Sequence, residues 1–168
     1  MKRKLRLTSK SGAGAKKLRP VEMIVLDANI LIRAVLGQRV GQLLDQYSQQ
    51  GIRFYPPETA YGEAEEYLPT LLRKKGKPDI DLAAALRYLK SKVEPVERES
   101  YGIFEAEAKA RLVGRDDDDW PVLAAALALA CPIWTEDQDF FGTGASVWTT
   151  GRVEIFLKSQ VENSSAHE

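Results

Sequence analysis

The chain has 168 residues, enough for one domain around one core, and its 44% apolar and 29% charged composition excludes both a disordered chain and one that spans a bilayer, which needs an apolar run of roughly 20 residues. A single cysteine, Cys131, excludes an internal disulfide, and a single histidine, His167, one residue from the C-terminus, excludes Ser-His-Asp and Cys-His mechanisms and a Cys/His zinc site. The net charge of zero hides an asymmetry: residues 1–19 carry eight basic residues and no acid, so the rest is acidic by about eight charges.

The basic, Gly/Ser-containing leader at 1–21 has the composition of a disordered segment that could hold phosphate backbones electrostatically. It lacks the apolar core of a signal peptide, so cytoplasm is the expected compartment. A strand is predicted over 23–27, then a helix from Ala28 to Leu36 interrupted by Gly37 and a second ended by Gly51. "IRFYPP" reads as a short strand stopped by prolines. "ETAYGEAEEYLPTLLRKKG" reads as a helix with apolar residues at helical spacing, bent or broken at Pro69. Asp79 and Asp81 are both suited to cap the helix "DLAAALRYLKSK". "VEPV" is a poor third strand, and "RESYGIFEAEAKARLVG" a helix closed by Gly114. After the loop "RDDDD" comes "WPVLAAALALAC", so apolar that it must be a buried helix. "PIWT" and "SVWTT" are short strands on either side of the loop "EDQDFFGTG", and "GRVEIFLKS" is a last short helix before a polar tail at 159–168.

Strands alternating with helices predict a three-layer α/β/α sandwich over 22–158, with a central parallel sheet of four or five strands. Ligands of such sheets bind at the carboxyl ends of the strands, near the point where the strand order reverses. Asp27 follows the first strand there, Glu136, Asp137 and Asp139 follow "PIWT", and Asp116, Asp117, Asp118 and Asp119 precede the buried helix. Singly, each has an ordinary reading: Asp27 as a helix cap, the aspartate run and "TEDQDFF" as polar loops. Together they would crowd carboxylates at one sheet edge, which costs free energy unless a cation sits among them. Ligand sets made only of oxygen favour a hard ion, Mg²⁺ or Mn²⁺. On the helix after the second strand, Glu63 and Glu65 flank the apolar stripe on opposite sides and Glu66 points away; periodicity does not choose between the first two.

In this order, "IVLDANILI", "PPETAYGEAEEYL", "RDDDDWPVLAAALAL" and "IWTEDQDFF" resemble the successive motifs of the PIN-domain nucleases, a family that includes the toxin halves of many toxin–antitoxin pairs. The resemblance runs through about 23–157. It implies catalytic, metal-holding acids at Asp27, Glu63, Asp119 and Asp137, with Asp116 and Asp139 as accessory ligands and Asn29 and Thr135 as supporting polar groups. Four consecutive aspartates leave open whether Asp116 or Asp118 accompanies Asp119. The implied activity is Mg²⁺- or Mn²⁺-dependent cleavage of RNA, and the implied partners are an antitoxin protein and a second copy of the chain. A protein that keeps the fold and binds RNA without cutting is the rival reading; an intact acid set disfavours it. A receiver-type phosphotransfer module would want an aspartate after a middle strand and a late lysine, and a D-x-D phosphatase a second aspartate where Asn29 stands. An acidic body must place positive groups near its pocket to accept RNA; Arg33, Arg111 and Arg115 are candidates, while Trp120 is expected to pack beside its helix and Trp134 and Trp148 in the core.

Overall fold

The structure, a computed structural model, describes residues 22–77 and 79–167; the basic leader at 1–21 lies outside them. Four parallel strands form the sheet: β1 (Met23–Leu26), β2 (Arg53–Tyr55), β3 (Ile133–Trp134) and β4 (Val147–Trp148), in the spatial order β2-β1-β3-β4. "VEPV" lies along the outer edge of β2 as two parallel bridges, Phe54 with Val93 and Pro57 with Val96. The amides of Glu94 and Val96 donate to the carbonyls of Phe54 and Pro56 at 2.9 and 2.8 Å. Pro95 has no amide to donate, so this segment makes a fifth, imperfect edge rather than a full strand.

Alternation in β1 divides the core. Ile24 and Leu26 face one side of the sheet with Phe54 and Trp134; Val25 faces the other with Ile133. The first side is covered by α1 (Ala28–Leu36), α2 (Arg39–Gln49), α3 (Glu58–Lys74), α4 (Leu82–Lys92) and α8 (Val153–Ser165). The second is covered by α5 (Arg98–Tyr101), α6 (Glu105–Arg111) and α7 (Trp120–Leu129). Every residue of α7 from Trp120 to Ala126 is buried, and its alanines let the helix lie close against the sheet. Trp134 is fully buried, whereas Trp148 is only partly so, at the edge of the core. Among the described residues no helix is long and apolar enough to cross a membrane.

Several boundaries differ from expectation. α3 runs unbroken through Pro69: buried Ala60, Tyr61 and Ala64 before it and Leu68 and Leu72 around it hold the helix despite the missing amide. Asp81, not Asp79, caps α4, accepting from the Ala84 amide at 3.2 Å. The helix expected over 98–114 is divided by a 3-10 turn at Gly102–Phe104. The last helix does not stop near Ser159 but continues to Ser165, because Val161 reaches the core and Ser164 donates to Glu22 beside β1.

The loop after β3 is anchored by Phe140, which is fully buried, while its neighbour Phe141 is 45% exposed. Phe140→Ala should therefore destabilise the fold by about 3–5 kcal/mol, and Phe141→Ala by no more than about 0.5 kcal/mol. Urea titrations of the two variants check this; equal losses would overturn the anchoring role.

Candidate active site at the carboxyl edge of the sheet

The chain leaves β1 toward β2 on one side and returns to β3 on the other, so the strand order reverses between β1 and β3. Asp27 directly follows β1 and Thr135 directly follows β3, side by side at this switch point. The Asp27 backbone amide donates to the Trp134 carbonyl at 3.1 Å, continuing the sheet one step past its last paired residue. Asp27 also caps α1: its Oδ1 accepts from the Ala28 amide at 2.7 Å. Capping and site formation are thus not alternatives here, because one oxygen caps while the other meets the loop after β3.

That second oxygen, Oδ2, accepts from the Thr135 hydroxyl at 2.7 Å and from Asn29 Nδ2 at 3.0 Å. The Thr135 hydroxyl spends its one proton on Asp27 and accepts from the Asp137 amide at 2.9 Å and Asn29 Nδ2 at 3.3 Å. Asn29 Oδ1 in turn accepts from the Glu136 amide at 3.3 Å. Asp137 Oδ1 accepts from the Asp139 amide at 2.9 Å, and Asp139 Oδ2 from the Asp116 amide at 3.4 Å. Asp116 Oδ1 accepts from the Asp118 amide at 3.0 Å, capping a 3-10 turn, Asp117–Asp119, that leads into α7. Side-chain oxygens bonded to backbone amides link all three acidic segments.

The carboxylates converge. Single oxygens of Asp119, Asp137 and Asp139 lie within 4.8 Å of one another. Asp119 is pushed up to about 7, first by burial and then by the charges of Asp27, Asp137 and Asp116. Asp27, 8% exposed, is also raised, chiefly by burial; the Thr135 and Ala28 hydrogen bonds oppose that shift and the Asp137 charge adds to it. Glu63 is raised by lost hydration of its carboxyl and by the charges of Asp27, Glu66 and Asp116. A cavity of about 270 Å³ opens here, with Asp27, Glu63 and Asp119 in its lining. Glu63 is the glutamate of α3 that reaches the cavity; Glu65 acts instead on the Tyr61 hydroxyl, which is raised first by burial and then by the Glu65 charge. Asp118 lines the cavity while Asp116 acts electrostatically on Asp119 and Glu63, so both members of that ambiguous pair are near the site in different ways.

The basic candidates are placed differently. Arg33 is exposed on α1. Arg111 donates to the Thr143 carbonyl at 2.8 Å and Arg115 to the Asp139 carbonyl at 2.7 Å, so both guanidiniums hold the loop that carries Asp137 and Asp139. Gly142 and Gly144, at φ 82 and 95, supply the turns that bring this loop against the two arginines; a Cβ at Gly144 would strike Arg111. Sequence reasoning missed Thr59 and Arg98, which line the cavity. Thr59 lies within the quoted "PPETAYGEAEEYL" stretch but carries no acid, whereas Arg98 belongs to no motif and reaches the cavity only through the packing of α5 beside the start of α3. Trp120 is buried at the start of α7, packed at 5.7 Å from the Tyr101 ring, as expected for a helix-start residue.

The donor set fits a hard divalent cation. It is all oxygen and several carboxylates crowd together in it; burial first, and then the neighbouring acids, raise Asp119, Asp27 and Glu63. His167, the one imidazole, lies at the end of α8 beside the Asn163 carbonyl at 2.7 Å.

Comparison with solved structures gives the same fold. VapBC2 from Rickettsia felis, bound to a DNA fragment from their promoter, matches with a TM-score of 0.58 and 13% identity over 76% of this chain and 98% of that one. PAE2754 from Pyrobaculum aerophilum matches with a TM-score of 0.56 and 17% identity over 83% of this chain and 92% of that one. No curated protein matches the sequence significantly. The PIN domain family matches residues 25–158, from the middle of β1 into α8 and across every acid of the cluster. The chain therefore belongs to the PIN-domain family, a family of nucleases.

Proposed function

We propose that the chain is an endoribonuclease dependent on Mg²⁺ or Mn²⁺, and the toxin half of a toxin–antitoxin pair. The convergence of Asp27, Glu63, Asp119 and Asp137 at the strand-order switch carries this reading. These four would hold the ion, with Asp116 and Asp139 as accessory groups. An ion there supplies Lewis-acid activation of water and neutralises charge building on the phosphate. Thr135 and Asn29 keep one oxygen of Asp27 oriented, and the Ala28 amide holds the other. Such outer partners fix how a carboxylate presents its lone pairs. No protein nucleophile is needed, which suits a site without histidine, cysteine or lysine in its wall. The likeness to VapBC2 supports an antitoxin protein as partner; the family resemblance supports a homodimer, and the lone cysteine Cys131 a cytoplasmic setting.

The pure protein should cut a mixed single-stranded RNA pool with Mn²⁺ or Mg²⁺ and not in EDTA. Asp27→Asn should abolish cutting with its circular dichroism unchanged, and Thr135→Val should slow it about 10–100-fold. Full activity in Asp27→Asn would refute the site assignment, and RNA binding without cutting under any metal would favour the non-cleaving reading.

Titration of the acids gives a second prediction. Asp119 titrates near 7 when folded and near 3.8 as a free group. Between those values the folded chain holds a proton that the unfolded chain has lost, so metal-free stability falls as pH rises from about 3.8 through 7. The raised Asp27 and Glu63 give the same sign. A divalent ion must displace that proton, so its stabilising effect grows over the same window. Thermal melts at pH 5 and pH 8, with and without Mn²⁺, should show a larger metal-induced rise in Tm at pH 8. Asp119→Asn should raise the metal-free Tm at pH 8 and shrink the metal response; an equal metal response at both pH values would contradict this.

A further inference from the structure

The acidic cavity has one cationic wall. The segment at 93–96 runs parallel to β2, so its carboxyl end reaches the same sheet edge as Asp27, and α5 begins there. Glu58, at the start of α3, accepts from the Arg98 amide at 3.1 Å through Oε1, and its own amide donates to the Val96 carbonyl at 2.9 Å. The two helix starts are thereby tied together, and Arg98 lines the same cavity as Glu63 although it is distant from it in sequence.

The Arg98 guanidinium lies 5.0 Å from the centre of the Trp120 ring, and the Lys109 ammonium 5.7 Å from it. Both cations share one acid: Glu105 Oε1 takes Arg98 at 2.8 Å and Oε2 takes Lys109 at 2.7 Å. The two cations share one carboxylate, and Arg98 is the one of them that lines the cavity. The pair is open to solvent, with the Arg98 side chain 58% exposed, and exposed ion pairs contribute little to stability. Glu105 and the indole fix the direction of a guanidinium whose fork has five donors, most of them still available. The cavity, at about 270 Å³, is below the roughly 300–1,000 Å³ of sites for whole small ligands, so only a short stretch of a polymer enters it.

We propose that Arg98, steadied by Trp120 and Glu105 and flanked by Lys109, is a phosphate-binding subsite that seats the RNA backbone next to the scissile phosphodiester. The proposal rests on the reading of the cavity as an RNA-cleaving site. Arg98 acts on the bound strand as a positioning residue: a non-bridging phosphate oxygen accepts from its guanidinium, and the neighbouring linkage is thereby held over Asp27, Glu63 and Asp119. It replaces in this role Arg111 and Arg115, whose guanidiniums hold the acid loop.

The test measures binding and cutting separately. Binding of a fluorescent single-stranded oligoribonucleotide is followed by anisotropy in Ca²⁺ between 50 and 300 mM salt, on the full chain, for wild type, Arg98→Gln, Arg98→Lys and Lys109→Gln; Arg87→Gln, an exposed arginine of α4, is the control. Arg98→Gln should weaken binding at low salt about 5–20-fold and flatten the slope of log affinity against log salt by about 0.7. Arg98→Lys should restore the slope, because charge is kept, while KM for cutting stays raised because the fork is lost. Lys109→Gln should give a smaller change of the same sign, and it carries the test if Arg98→Gln fails to fold. Wild-type affinity and slope in Arg98→Gln, or no binding by wild type, overturn the subsite. Wild-type cutting with an unchanged Arg98→Gln would overturn the subsite alone; altered binding without any cutting would overturn the ribonuclease reading and leave the subsite standing.

Discussion

The hydrogen bond from the Thr135 hydroxyl to Asp27 Oδ2, at 2.7 Å, joins the ends of the two central strands, and the geometry of the acidic edge depends on it. Thr135 is fully buried and Asp27 nearly so. A buried carboxylate is costly unless its oxygens are satisfied. Thr135, Asn29 and the Ala28 amide meet that demand, and in doing so they determine where both oxygens sit. The same hydroxyl accepts from the Asp137 amide, so the position of the second acidic segment is inherited from the first.

From this link the acids follow one another. Asp137 caps the turn that carries Asp139, Asp139 accepts from Asp116, and Asp116 caps the turn that carries Asp119. Each contact ties a side chain to a backbone amide, which specifies position closely while leaving a second carboxylate oxygen for other partners. The outcome is a set of part-buried acids crowded together, and burial first, then their like charges, raises Asp27, Glu63 and Asp119. Such shifts are usual where binding or catalysis requires a group to be kept out of its preferred state.

Positive charge is divided between two tasks. Arg111 and Arg115 bond to carbonyls of the loop after β3 and hold it against α6 and the segment that follows. Arg98, at the wall of the cavity, and Lys109 behind it gather around Trp120, sharing Glu105. Trp120, buried in the second half of the core, thus gives the cations a rigid face rather than offering its own ring to solvent. This arrangement lets a chain with an acidic body keep a cationic group beside its acids.

What the sequence alone determined was local. The apolar run before Asp27, the capping role of Asp27 itself and the bare apolar helix after the aspartates are decided by neighbours within a few residues, through hydrogen bonding and periodicity. The order of strands and helices follows from these and was enough for the parallel sheet, while the choice of acids rests on the family resemblance. The resemblance selected Glu63 over Glu65, and the cavity lies on that side of α3. The tertiary structure decided what depends on meetings between distant segments: Thr135 across to Asp27, a helix that survives Pro69 because its buried side chains outweigh one lost hydrogen bond, and a last helix prolonged by Val161 and by the bond from Ser164 to Glu22. It also turned Arg111 and Arg115 toward loop carbonyls and brought Arg98 to the cavity. A guanidinium on a long, flexible stem takes its partner from whatever packing places within reach, and neither spacing nor composition along the chain records that choice.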